Sequence, residues 1–285
     1  MTELREGPDV PAVTLNDGTA MPQLGLGTYQ LRGEAGAGAI RSALDSGYRL
    51  LDTAYNYENE GTVGAGIRRS GVSRDDVQVS SKLPGRYQRH TPAVQAVEES
   101  LYRAGLDYFD YYLIHWPNPQ QELYVEAWQA LIRLRERGLL RSIGVSNFLP
   151  EHIQRLHEET GVLPCVNQIE IHPWFPQEEV IAWNAQQGIA VQAWSPVGRN
   201  SELKSSPVIT DIAAELDRSV VQVILRWHIQ SGTVPLPKSA NAARQRQNLG
   251  VFDFSLNQDH LDRIRTLAQP EGRLKGQDPA VYEEF

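Results

Sequence analysis

Eight times along this chain a short run rich in Val, Ile, Leu and Tyr is followed by a longer segment of helical period. Leu24–Gly27 precedes a predicted helix over Glu34–Ser46, Tyr48–Thr53 one over Glu60–Ser70, and Val77–Leu83 one over Pro92–Ala104. Phe109–His115 precedes Gln121–Arg137, Ser142–Ser146 precedes Pro150–Glu159, and Val166–Ile171 precedes Gln177–Gln187. Ile189–Ser195 precedes Val208–Ile229, and Thr233–Leu236 precedes a helix that starts near Ala242. Such strict alternation is the pattern of a parallel sheet with helical crossovers. Ahead of it, Asn16-Asp17-Gly18 between Val13–Leu15 and Ala20–Pro22 reads as a β-hairpin, because glycine accepts the positive φ that tight turns need.

Eight units either close into a barrel or lie open as a doubly wound sheet. An open sheet that binds a dinucleotide carries G-x-G-x-x-G after its first strand. Here the sequence is Gly25-Leu26-Gly27-Thr28-Tyr29-Gln30, without the third glycine. The expectation is therefore a single (β/α)₈ TIM barrel with an N-terminal β-hairpin plugging its bottom, one domain over residues 1–285, an ordinary length for this architecture.

Composition removes several function classes. A net charge of −8 disfavours nucleic acid and anionic membranes, which attract a surplus of Lys and Arg. No run approaches the roughly 20 apolar residues of a membrane-spanning helix, and Thr2 to Pro11 is polar. The single cysteine, Cys165, allows no intrachain disulfide and suits a reducing compartment, so the expected location is cytoplasmic. No segment carries an apolar face wider than a barrel needs, which points to a monomer.

In a (β/α)₈ barrel the active site lies at the carboxyl ends of the strands. The second run ends in Asp52 with Tyr57 on the loop beyond it, the third ends near Lys82, and the fourth ends in His115. Taken singly, each has an ordinary explanation as a cap, a surface charge or a loop residue. Together they describe a carbonyl reduction. An oxygen that gains charge as hydride adds to its carbon must be protonated, and Tyr57 can do it if a buried ammonium at Lys82, within hydrogen-bond reach, lowers its ordinary pKa of about 10. Asp52 keeps Lys82 charged, and His115 orients and polarises the carbonyl.

These residues resemble the aldo-keto reductase superfamily over nearly the whole chain. Asp52-Thr53-Ala54 with Tyr57 and Asn59-Glu60, Ser81-Lys82-Leu83, and Leu113-Ile114-His115-Trp116-Pro117 are similar to its three signatures, in the same order. The short C-terminal region and Trp116-Pro117 look most like bacterial members of the 2,5-diketo-gluconate reductase type. The resemblance implies an Asp52, Tyr57, Lys82, His115 tetrad and the cofactor NADPH. It implies that Ser146, Asn147 and Gln168 hold the nicotinamide carboxamide and that Trp194, where tyrosine is common, stacks on the ring. It further implies that Lys238, Ser239 and Arg244 bind the 2′-phosphate and that Asn248 meets adenine. Gly27 and Thr28, ending the first run, complete the expected cofactor set. By strand-end position, Tyr29, Tyr55, Trp116, Asn118 and Trp174 wall a pocket for a small-molecule carbonyl substrate. Arg199 reads either as a pyrophosphate contact or as a solvated loop charge, and Arg273 to Phe285 either as a cover over the mouth or as a solvated end.

Two rivals come from other classes. A non-catalytic NADPH-binding redox sensor would not need all four tetrad groups. A metal-dependent hydrolase built on His115, His172 and Asp52 would want close ligand spacing, and the seven histidines show none, so no metal is expected.

Overall fold

The computed structural model describes residues 10–199 and 201–285, and in it each of the eight runs is a strand that feeds a helix. The strands are β1 (Ala12–Thr14), β2 (Ala20–Pro22), β3 (Leu26–Gly27), β4 (Leu50–Asp52), β5 (Gln78–Leu83), β6 (Phe109–Ile114), β7 (Leu140–Ser146), β8 (Val166–Glu170), β9 (Ala190–Trp194) and β10 (Thr233–Pro235). The helices are α1 (Gly33–Ser46), α2 (Glu60–Ser70), α3 (His90–Ala104), α4 (Tyr124–Glu136), α5 (Pro150–Thr160), α6 (Glu178–Gln186), α7 (Pro207–Glu215), α8 (Val220–Gln230), α9 (Ala242–Leu249) and α10 (Gln258–Arg265).

β3 to β10 pair in parallel in sequence order. The ring closes where Gly25 N donates to Pro235 O (3.2 Å) and Gly27 N to Pro237 O (3.1 Å), with a parallel bridge from Gly27 to Lys238. A side chain at Gly27 would put its Cβ 2.8 Å from Leu236 O, so this junction requires glycine. β1 and β2 form the expected antiparallel hairpin, turned at Gly18 with φ +86. Its Leu15 and Met21 pack with Leu50, Tyr111, Val166 and Val234 at the strand starts and fill the floor of the barrel. Cys165 lies in that floor, where burial pushes its thiol well up and leaves it inert.

Two expectations need correction. Val208–Ile229 is not one helix: α7 ends at Glu215 and α8 begins at Val220. Asp217 takes a left-handed φ of 52, and Ser219 starts α8 with a capping box, its Oγ accepting from Gln222 N (3.3 Å). Beyond α9 the chain adds α10, which the strand–helix alternation does not predict. No helix among the described residues is long and apolar enough to cross a membrane.

The helical layer is tightest where α2 meets its neighbours. A Cβ on Gly64 would lie 1.7 Å from Ala104 O, a backbone atom that cannot move aside cheaply. Gly38 in α1 faces open space, with nothing within 4 Å of where a methyl group would sit. Gly64→Ala is expected to cost at least about 2 kcal/mol by overpacking, whereas Gly38→Ala gains about 0.5–1 kcal/mol from lost backbone freedom in the unfolded chain. Urea denaturation of both variants checks the contrast.

Candidate active site

β4, β5 and β6 lie side by side and bring Asp52, Lys82 and His115 to one end of the barrel. Lys82 Nζ donates to Asp52 Oδ1 and Oδ2, both at 2.8 Å, and to Thr53 O at 2.8 Å. An ammonium has three hydrogens, so these bonds use them all. Burial pushes the Lys82 ammonium down from its ordinary pKa, and the Asp52 carboxylate against it pushes back.

Tyr57 ends a 3₁₀ turn, Tyr55–Tyr57, followed by Glu58 in the left-handed region at φ 52. Asn59 anchors this loop. Its Nδ2 donates to Thr28 O (2.7 Å) and Leu31 O (3.0 Å), and its Oδ1 accepts from Thr53 Oγ1 (2.7 Å). The Tyr57 ring lies 5.1 Å from Tyr29 and 6.2 Å from His115, with Lys82 Nζ 5.3 Å from its centroid.

This geometry corrects the expectation for the phenol. Lys82 makes no hydrogen bond to Tyr57 among the described contacts, because its donors are already engaged. With Asp52 against it, the ammonium acts as half of a nearly neutral pair. The Tyr57 phenol is pushed up rather than down, first by burial and then by the Asp52 carboxylate, while Arg199 opposes the rise.

The residues expected around the cofactor ring form one hydrogen-bonded chain. Trp194 Nε1 donates to Asn147 Oδ1 (2.8 Å), and Asn147 Nδ2 donates to His115 O (3.0 Å) and Ser146 Oγ (3.1 Å). Ser146 Oγ donates to Gln168 O (2.8 Å), and Gln168 Nε2 donates to Asp52 Oδ1 and Gln192 Oε1, each at 2.8 Å. Asn147 reaches this position through a left-handed φ of 63. Gln168 Oε1 accepts no bond from the described residues and remains able to take an N–H.

Past β10, Lys238 and Arg244 are exposed beside the start of α9, and Ser239 is buried. Asn241 caps that helix, its Oδ1 accepting from Arg244 N (3.0 Å). Asn248 is buried further along α9. Two exposed cations at a capped helix start, an acceptor at Gln168 and a half-buried indole at Trp194 are a donor set that suits a phosphate-bearing dinucleotide. Gly27 and Thr28 stand one layer back. Gly27 serves the ring closure, and Thr28 Oγ1, fully buried, donates to Asp52 O (2.9 Å).

Tyr29 is 45% exposed at the mouth, and Trp116 packs on Tyr282 with ring centroids 4.5 Å apart. Arg199 Nε donates to Ser195 Oγ (2.8 Å), and its guanidinium lies 5.9 Å from the rings of both Tyr29 and Trp194. Tyr55 is not among the walls. Two residues from Tyr57 on a turn of three residues per cycle, it points elsewhere: its hydroxyl accepts from Arg103 of α3 (3.0 Å) and its ring meets Tyr87. Asn118 is also no wall, because both ends of its amide bind the backbone of Glu284.

The segment after α10 crosses the mouth. Gln269 N donates to Trp174 O (3.0 Å), Leu274 N to Glu170 Oε1 (2.8 Å), and Tyr282 meets Trp116. The crossing ends with Glu284 Oε1 placed 2.7 Å from His115 Nδ1. Nothing in the spacing or composition of Arg273 to Phe285 signals that contact, and sequence reasoning misses it. His172, the other histidine of the metal rival, pairs instead with Glu170, its Nε2 3.0 Å from Oε1.

Known proteins resemble the chain over most of its length. The profile of the Aldo/keto reductase family matches residues 23–269. The chain is 48% identical over 278 residues to 2,5-diketo-D-gluconic acid reductase B of Corynebacterium sp. (strain SHS752001), covering 98% of this chain and 100% of that one. It is 44% identical over 273 residues to methylglyoxal reductase DkgA of Yersinia pestis, covering 95% and 97% respectively. A crystal structure of a Gox0644 mutant in complex with NADPH superposes with a TM-score of 0.91 at 37% identity, covering 96% of this chain and 99% of that one.

Removing one member of the buried ion pair leaves the other charge stranded. Lys82→Ala is expected to lose about 3–5 kcal/mol of stability, and the double change Asp52→Asn with Lys82→Met to recover most of it. Chemical denaturation of the three proteins measures both steps.

Proposed function

The chain belongs to the aldo/keto reductase family and is an NADPH-dependent carbonyl reductase, and we propose that Tyr57 is its proton donor, with Asp52, Lys82 and His115 setting the donor and the substrate. The observation that carries this assignment is the Tyr57 phenol facing the His115 imidazole, ring centroids 6.2 Å apart, above the Lys82–Asp52 pair.

When bound, NADPH supplies the hydride that adds to the carbonyl carbon. Tyr57 gives its proton to the oxygen. A phenol held up by burial stays protonated at neutral pH, and an alkoxide is basic enough to take its proton. General acid catalysis of this kind is worth about 10²–10⁴-fold. Lys82 acts on what remains, because its ammonium offsets the phenolate left behind. Asp52 keeps that ammonium charged and in place, and His115 fixes the direction of the oxygen.

For cofactor binding, Ser146, Asn147 and Gln168 would hold the carboxamide and Trp194 the face of the ring. Lys238, Ser239 and Arg244 would hold the 2′-phosphate and Asn248 the adenine, with Gly27 and Thr28 supporting the strand ends. Arg suits the phosphate because its planar fork binds two oxygens at once. The proposed substrates are small dicarbonyl compounds, the class printed in the names of the methylglyoxal and diketogluconic acid reductases it resembles. Tyr29, Trp116 and Tyr282 supply aromatic walls for them. On this reading the protein works as a single-domain monomer in the cytoplasm, which the lone cysteine supports.

Tyr57→Phe is expected to lower kcat for methylglyoxal by about 10²–10⁴-fold while NADPH binding stays as it was. Absorbance-monitored turnover and a binding titration check both halves. No turnover in the wild-type protein with NADPH still bound would favour the redox-sensor reading instead. Arg244→Ala is expected to weaken NADPH by about ten- to a hundredfold, the worth of a charge-assisted contact, and to leave NADH unchanged in a parallel titration.

A further inference from the structure

Gln168 and Gln192 are register partners on the neighbouring parallel strands β8 and β9, and both side chains are buried. The last torsion of a glutamine side chain is broad and roughly two-fold, so covalent preference does not decide where Gln168 points its oxygen. Its partners decide. Gln168 Nε2 donates to the Asp52 carboxylate at Oδ1 (2.8 Å). Turning the amide over would set Oε1 against that carboxylate, two acceptors face to face. Asp52 therefore selects which end of the amide is nitrogen. A single bond still leaves the amide free to pivot about it. The second hydrogen of Nε2, donated to Gln192 Oε1 (2.8 Å), removes that freedom and fixes the plane.

Gln192 is fixed in its own turn. Its Nε2 donates to Met21 Sδ (3.1 Å), and a thioether accepts without ever donating, so Oε1 is the end left for Gln168. Met21 lies on β2 of the hairpin and is fully buried. Around the cofactor ring, the hydroxyl hydrogen of Ser146, both amide hydrogens of Asn147 and the indole hydrogen of Trp194 go to acceptors of the chain itself. Gln168 Oε1 differs. No described residue donates to it, and it is not one of the polar atoms sealed in the interior without a partner.

Resting on the cofactor assignment above, we propose that Gln192 is a positioning residue for the nicotinamide: with Asp52 it locks the Gln168 amide so that Oε1 meets the carboxamide N–H of the bound dinucleotide. A carboxamide has a donor end and an acceptor end, and a locked acceptor admits only the donor end. The way the ring sits is then set before the cofactor arrives, by a side chain that does not touch it. The ion pair beneath Tyr57 thereby has a second task, because Asp52 Oδ1 is shared by Lys82 and Gln168.

The test compares binding of NADP⁺ with binding of its 3-acetylpyridine analogue, which keeps the carbonyl oxygen and lacks the N–H. Titrations use the wild-type protein, Gln192→Leu, which removes the acceptor, and Gln192→Glu, which keeps an oxygen toward Gln168. The wild-type protein is expected to favour NADP⁺ by about three- to tenfold, the worth of one hydrogen bond. Gln192→Leu is expected to bring the two ligands within about twofold of each other, with that bond lost, and Gln192→Glu to restore most of the difference. A strand that merely loosened would weaken both dinucleotides alike and keep the preference, which would overturn the proposal. Equal binding of the two ligands by the wild-type protein would overturn it as well. NMR of the Gln168 side-chain amide in the cofactor-free proteins reads the lock itself. Both hydrogens are expected to exchange slowly with solvent in the wild-type protein, and one of them faster in Gln192→Leu. Fast exchange of either hydrogen in the wild-type protein would contradict the lock without any variant having to fold. Failure of the wild-type protein to bind either dinucleotide would count against the reductase reading, while the amide exchange still decides whether Gln192 holds Gln168.

Discussion

The buried Asp52–Lys82 ion pair is the constraint on which the mouth of this barrel is organised. Taking two charges out of water costs several kcal/mol per ion, and attraction alone does not offset it, so every remaining donor and acceptor must be met. Thr53 O takes the third hydrogen of Lys82, and Gln168 Nε2 serves Asp52 Oδ1. Gln168 in turn binds Gln192, whose Nε2 reaches Met21 Sδ in the hairpin that floors the barrel. A polar column thus runs from the plug to the reaction site through an otherwise apolar interior. Buried networks of this sort are costly when incomplete and rigid when satisfied. Here it fixes where Lys82 and Asp52 stand, and with them what Tyr57 feels.

The barrel is legible in the sequence because its strands are buried on both faces and therefore read as continuous apolar runs. The four tetrad positions follow from the strand ends. Less visible are features set by contacts across long stretches of sequence. The break between α7 and α8 has a local sign, Ser219 three residues before Gln222, which the helical period across the break obscures. Tyr55 and Tyr57 look equivalent on paper, yet a 3₁₀ turn sends one to the helical layer and the other to the site. The electrostatics of Tyr57 escape a sequence reading for a physical reason: the Asp52–Lys82 pair is legible, but not that Asp52 and Thr53 O take every hydrogen of Lys82 and leave burial to dominate the phenol. The placement of Glu284 leaves no trace at all, since it depends on Gly85, Asn56 and Asn118, all more than 160 residues away along the chain.

The segment after α10 changes the character of the site. With it, Tyr282 closes on Trp116 and Glu284 on His115, so that one strand of backbone both shapes the pocket and adds a charge to it. Pocket shape and the surroundings of His115 therefore depend on the same few residues.

Burial, with the Asp52 carboxylate behind it, keeps Tyr57 a phenol in the free protein. The direct measurement is an ultraviolet titration of phenolate in the wild-type protein, minus the same titration of Tyr57→Phe, without cofactor. No difference signal is expected up to about pH 10, the ordinary tyrosine value, because burial and Asp52 hold the proton on. A phenolate signal from Tyr57 appearing between about pH 7 and 9 would contradict this, and would mean that Lys82 acts on the phenol as an unbalanced cation.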